Sequence, residues 1–91
     1  RMEYGFASDL MSDVLRQEAE GLLLVTGLAN LQTLRTAEMA DISCIIFVRN
    51  KRANEQMVSL AREHGIVLME CAYSMFKTAG MLYQAGLKPV F

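Results

Sequence analysis

Two short segments carry the residue types suited to holding an anion. Thr26-Gly27 and Asn30 follow one apolar run, and Arg49, Lys51 and Arg52 follow the next. A hydroxyl, a glycine that lets a ligand approach the backbone, and a helix start with free N–H groups make an oxyanion receptor when cations stand beside them. The ligand implied is a nucleotide or another phosphorylated small molecule. The glycine spacing and Lys-Ser/Thr pair of a phosphate loop are absent, and the bland alternative is a tight turn beside a solvated basic loop.

The remaining reactive side chains are sparse. Asp9 and Asp13 stand four residues apart and share a face if both are helical. Such a pair suits a divalent ion or acid–base work, but with no third carboxylate or histidine nearby, helix capping and solvation are the expected roles. His64 is the single histidine, placed before Gly65 at an expected helix end. Cys44 and Cys71 sit in or just after expected buried strands and lack Cys-x-x-Cys spacing, so they read as reduced thiols. Two thiolates cannot close a metal site within one subunit, and an iron–sulfur cluster would need a dimer. Tyr73, Phe76 and Tyr83 either stack a base or, as preferred here, pack as helix core. No nucleophile–base pair emerges, so the expectation is no enzyme, no catalytic residue, no metal and no cofactor.

These residues hang on a repeating strand-turn-helix pattern. Leu22–Val25, Ser43–Val48 and Ile66–Met69 are short apolar runs without polar alternation, as strands buried on both faces require. Helical segments separate them, with Asn30, Asn54 and Ser74 as N-caps and Gly65 as a C-terminal stop. Met2–Phe6 reads as a short edge strand. Ser8 or Asp9 then caps a helix that places Leu10, Met11, Val14 and Leu15 along one face and ends at Glu18-Ala19-Glu20-Gly21. In the last helix Met75, Ala79, Leu82 and Gly86 line one stripe, Phe76 and Tyr83 an adjacent one, and Met81 lies apart. An element so apolar around its circumference is either deeply buried or covered by a partner, which makes Met75, Phe76, Met81 and Tyr83 candidate interface residues. Strands alternating with helices predict an α/β fold, a small three-layer α/β/α domain with a mostly parallel sheet. Ligands bind such sheets at the carboxyl ends of their strands.

Composition agrees. The 91 residues suit one domain, 53% of them are hydrophobic, and Pro89 is the only proline, which excludes a disordered linker. Net charge is −1, so no basic field points to nucleic acid. The apolar runs are far shorter than the ~20 residues that span a bilayer, and no secretory signal is visible. A cytoplasmic protein is expected. So high an apolar share in so small a domain suggests a homodimer. The chain opens on Arg1, and the expectation is that an N-terminal segment precedes it.

Three segments carry a family likeness. Ser8-Asp9-Leu10-Met11-Ser12-Asp13-Val14-Leu15 is similar to a Ser-Asp-Leu-Leu-Ser-Asp-Val element. Leu24-Val25-Thr26-Gly27-Leu28 runs into Arg35-Thr36-Ala37-Glu38. Tyr73-Ser74-Met75-Phe76-Lys77-Thr78-Ala79 is similar to a Tyr-(Asp/Ser)-x-Phe-x-(Thr/Ala)-(Ala/Cys) signature. On these segments the chain, as a single domain over residues 1–91, resembles the DRTGG domain family. The resemblance implies a fold similar to the N-terminal domains of HPr kinase/phosphorylase and of Mur ligases. It also implies a regulatory setting: family members stand alone beside iron-only hydrogenase genes or are fused to CBS pairs and pyrophosphatase or phosphotransacetylase modules. This chain departs from the family name, with Gly27-Leu28 in place of Asp-Arg and Val48-Arg49-Asn50 in place of Thr-Gly-Gly.

Three functions follow as expectations. The first is a non-catalytic regulatory or ligand-sensing domain that binds a nucleotide or other anion at the carboxyl ends of the strands. The second is a scaffold or accessory protein for iron hydrogenase or electron-transfer components. The third, HPr kinase-like phosphotransfer, lacks its phosphate-loop domain.

Overall fold

A computed structural model describes residues 3–17 and 20–91 of the chain. The elements run β1 (Tyr4–Ala7), α1 (Met11–Leu15), β2 (Leu22–Thr26), α2 (Leu31–Met39), β3 (Ile42–Phe47), α3 (Glu55–His64), β4 (Val67–Glu70), α4 (Met75–Gln84) and β5 (Lys88–Pro89). The strands form one sheet in the order β4-β3-β2-β1-β5, with every neighbouring pair parallel. The α/β class with a parallel sheet is as the sequence predicts.

Crossover handedness explains the layers. Parallel crossovers are right-handed, and β1 to β4 step successively toward one edge. Consequently α1, α2 and α3 fall on one face, where Met11, Val14, Leu34, Ala37, Met57 and Ala61 meet Leu22, Leu24, Ile45 and Phe47. The connection from β4 returns across the sheet to β5, so α4 falls on the other face, where Met75 and Leu82 pack on Leu23, Val25, Cys44 and Ile46. The central strands β2 and β3 are apolar on both sides because both are covered.

Helix ends follow side-chain chemistry. Asn30 Oδ1 accepts from the Thr33 N–H at 3.0 Å, Asn54 Oδ1 from Met57 at 2.9 Å, and Ser74 Oγ from Lys77 at 3.1 Å. Gly65 closes α3 in the left-handed conformation (φ 70°) that costs a residue with a Cβ.

Four expectations need correction. First, β1 is no edge strand: Gly5 pairs with Leu23 on one side and Pro89 on the other. The pairing comes from β5, two residues long and thus invisible to periodicity, with Pro89 at an edge where a missing N–H is tolerated. Met2, part of the expected strand, lies outside the described residues.

Second, α1 begins only at Met11, with Leu10 at its N-cap and no side-chain cap bond. Ser8 Oγ accepts from the Leu10 N–H instead. Met11 and Val14 are buried, whereas Leu10 and Leu15 are exposed. The expected end of this helix at Glu18-Ala19 lies outside the described residues. Third, Asp9 precedes α1, so it shares no helical face with Asp13, which pairs with Arg16.

Fourth, the aromatics of the last helix are not core. Phe76 is 90% exposed and Tyr83 68%, while Tyr73 is also exposed. Only an inward stripe of α4, with Thr78 buried and Met75 and Leu82 against the sheet, meets the core. Gly86 lies beyond the helix and is exposed.

Candidate functional site at the carboxyl edge of the sheet

The parallel register of β1 and β2, Ala7 with Val25, brings Asp9 level with Gly27 where both strands end. There the Asp9 carboxylate is the focus of three donors. Its Oδ1 accepts from the Gly27 backbone N–H at 2.7 Å and from the Thr26 hydroxyl at 3.0 Å. Its Oδ2 accepts from the Arg49 guanidinium at 3.3 Å. Thr26 is fully buried, whereas the Asp9 and Arg49 side chains are about half exposed. The receptor has a dry floor and a wet mouth.

Glycine at position 27 is part of this construction. The Arg49 guanidinium lies where a Cβ on residue 27 would project, so the absence of a side chain lets the cation reach over the loop to Asp9. Arg49 and Asn50 both hold left-handed backbone conformations, with φ 58° and 62°. Such residues cost roughly 1–2 kcal/mol each outside glycine, and the cost is offset by tethering. The Arg49 N–H donates to the Tyr73 carbonyl at 2.8 Å and the Asn50 N–H to the Cys71 carbonyl at 3.0 Å.

Those tethers cross the topological switch point. The β3–α3 loop departs toward one face and the β4–α4 loop toward the other, and open parallel sheets take ligands at such a divergence. Here the crevice retains a hollow of about 170 Å³ lined by Asn50, Lys51, Arg52, Glu70, Cys71 and Ala72. Glu70 partly neutralises it, accepting from the Ala53 N–H at 2.9 Å and lying 3.7 Å from Arg52. Drug-sized ligands occupy roughly 300–1,000 Å³, so the hollow suits an ion or one functional group.

The sequence-predicted anion residues therefore divide. Thr26, Gly27 and Arg49 come together around Asp9. Lys51 and Arg52 line the neighbouring hollow. Asn30 belongs to neither, because its side chain caps α2. Of the predicted interface residues, Phe76, Met81 and Tyr83 are exposed, while Met75 turns toward the sheet.

Asp9 is the residue that sequence reasoning missed as a site member. The pattern Ser8-Asp9 after an apolar run resembles a helix cap, and only strand register reveals that it faces Gly27. Its pKa is lowered, chiefly by the Gly27 N–H, with the Thr26 hydroxyl and Arg49 adding to the effect against the opposing influence of burial. The carboxylate is thus ionised at neutral pH and serves as an oxyanion within the receptor.

Other reactive groups lie elsewhere. His64 is at the C-terminal end of α3, on the amino edge of the sheet, 3.4 Å from Glu38 of α2. Cys44 pairs in register with Val67, and Cys71 lies four residues farther along that strand direction, about 13 Å at strand rise. That distance excludes a disulfide between them, and both are free thiols. Burial raises the Cys44 pKa. Cys71 Sγ lies 3.4 Å from the Thr78 hydroxyl. Among the described residues no three or more His, Cys, Asp or Glu side chains gather as for a metal, and no helix is long and apolar enough to cross a membrane.

Comparison of the chain with protein-family models, with curated proteins and with solved structures finds no match in any of the three.

Proposed function

We propose that this chain is a non-catalytic regulatory domain that senses a small oxyanion, the phosphoryl or carboxylate end of a ligand, by exchanging it for the Asp9 carboxylate. The observation that carries the reading is the convergence of the Gly27 N–H, the Thr26 hydroxyl and the Arg49 guanidinium on a half-exposed carboxylate of the chain itself. A site that accepts one oxyanion in this geometry has the donors to accept another. The segment that delivers Asp9 is suited to local release: it is the short connection between β1 and α1, where Asp9 and Leu10 are exposed and the N-terminus of α1 has no side-chain cap. Exchange would free the Ser8-Asp9 connection between β1 and α1 while Met11 and Val14 keep α1 in the core, a structural change that a partner can read.

The resemblance to DRTGG domains belongs to the same proposal. Two of the segments that carry it supply Asp9 on one side and Thr26 on the other, while Gly27 stands where the chain departs from the family's Asp-Arg. The size of the neighbouring hollow favours a phosphoryl group over an enclosed nucleotide.

The test is a thermal-shift titration with inorganic phosphate on the wild type, Asp9→Ala and Asp9→Ala/Arg49→Ala. Stabilisation that strengthens in Asp9→Ala and disappears in the double variant supports the reading. An equal or absent response in all three refutes it. A docking role, as for a scaffold or accessory protein, draws support from a different observation, the exposed aromatics of α4.

A further inference from the structure

The two edges of the sheet are built differently. β5 is only Lys88 and Pro89, and both residue types discourage another strand from pairing. β4 forms the opposite edge over Val67–Glu70, runs without a bulge, and has no lysine or proline. Its backbone defines what can cover it. The Cys71 N–H donates to the Phe47 carbonyl at 2.9 Å and the Cys71 carbonyl accepts from Asn50, so Cys71 turns its backbone toward β3. By strand alternation Val67 and Met69 do the same, while Leu68 and Glu70 turn theirs outward. Their N–H and C=O groups form an open ladder, and the partner that matches it is another β-strand.

The edge matches itself in one register. An antiparallel two-fold centred on Met69 sets Leu68 opposite the partner's Glu70 and Glu70 opposite the partner's Leu68, which satisfies all of these groups with four hydrogen bonds between the copies. Centring on Leu68 instead would call on Ile66, whose N–H already donates to the Ala61 carbonyl at 2.8 Å. At the axis the two Met69 residues form a non-hydrogen-bonded pair about 4.5 Å apart at Cα, where an adaptable side chain suits contact with its own copy. Met69 and Val67 are both half-exposed, on the face where α4 packs against β2 and β3.

Charge complementarity points to the same occupant. On the other face a groove of about 580 Å³ runs between α3 and the edge, lined by Val58, Ala61 and Leu68, with Arg62 and Glu70 also on it. Arg62 follows Ala61, whose carbonyl holds the Ile66 N–H, so it lies at the Ile66 end of β4 and Glu70 at the other. A two-fold inverts the partner, so Arg62 of each copy faces the Glu70 end of its mate. Among the described residues Arg62 pairs with no carboxylate of its own chain.

We infer that the domain forms an isologous homodimer in which β4 pairs antiparallel about Met69 with β4 of a second copy, continuing the five-stranded sheet across the two-fold. This proposal is independent of the Asp9 clasp.

Sedimentation velocity and amide hydrogen exchange on the full chain test it, with circular dichroism to verify folding. The wild type is expected at twice its 10.2 kDa monomer mass at about 100 µM, above the micromolar upper end of such interfaces. The Leu68 and Glu70 amides should gain protection as concentration rises through the association. Met69→Lys and Met69→Glu each set like charges against one another at the axis and should weaken association at least about tenfold. Mixing the two should restore a heterodimer, because the register places residue 69 against itself. A monomeric wild type, its edge left for a strand of another protein, overturns the proposal. So does a dimer whose Leu68 and Glu70 amides stay unprotected, a dimer indifferent to both substitutions, or a folded pair of variants that fails to recombine.

Discussion

Replacing Asp9 by alanine removes the occupant of the oxyanion receptor and leaves the donors. The Gly27 N–H and the Thr26 hydroxyl belong to buried residues and lose a charged acceptor at 2.7 and 3.0 Å. Hydrogen bonds to charged groups contribute about 1.5–3 kcal/mol each when protected. The half-exposed carboxylate places the total toward the low end, and the solvated Arg49 pair adds less than about 1 kcal/mol. A loss of about 2 kcal/mol is expected, which lowers Tm by about 10 °C in a domain of this size. The same figure sets the competition: an intramolecular ligand held by about 2 kcal/mol weakens any rival about 30-fold. Phosphate should therefore bind Asp9→Ala about 30-fold more tightly than wild type. At 100 times its dissociation constant it should return about 2.7 kcal/mol of stability. Differential scanning calorimetry across a phosphate series reads both effects. A variant as stable as wild type and insensitive to phosphate would refute the reasoning, since the donors would then be satisfied without any oxyanion.

The clasp is also acid-sensitive. Because the native pKa of Asp9 is depressed below 3.8, its stabilisation is fully present above the unfolded value and is lost as pH falls through the native one. The stability difference between wild type and Asp9→Asn should be constant at neutral pH and shrink as pH falls below the ordinary carboxylate range, as urea titrations would show. Gly27→Ala should push the flexible Arg49 side chain into solvent while sparing the Gly27 N–H bond, costing less than about 1 kcal/mol but weakening phosphate binding in the Asp9→Ala background. Gly65→Ala, forced into a left-handed C-cap, should cost about 1 kcal/mol by thermal denaturation. Phe47→Ala opens the centre of the core and should cost about 3–5 kcal/mol, enough to leave much of so small a domain unfolded at 37 °C.

Much of the fold was legible because its signals are local. Continuous apolar runs at Leu22–Val25 and Ser43–Val48 mark strands covered on both faces, and Asn30, Asn54, Ser74 and Gly65 mark helix ends by their own hydrogen-bonding or backbone chemistry. What was not legible depends on partners distant in sequence. The short strand β5 exists only because β1 offers it an edge. Asp9 looked like a cap because Ser8-Asp9 precedes a helical pattern, and its actual partners lie 17, 18 and 40 residues away. Likewise, apolar periodicity could not distinguish a helix stripe facing the sheet from one facing solvent. Met75 and Leu82 meet the sheet, whereas Phe76 and Tyr83 do not. Thr26, Gly27 and Arg49 were identifiable as anion-binding types, but that the chain fills the receptor with its own carboxylate is a fact of register alone.

The most direct measurement is an NMR titration of inorganic phosphate that follows the Gly27 amide in wild type and in Asp9→Ala. Exchange at the receptor predicts a saturable shift of that amide in both proteins, with an apparent dissociation constant about 30-fold lower in Asp9→Ala. A Gly27 amide that stays fixed in Asp9→Ala at saturating phosphate, whatever moves elsewhere, would contradict the account.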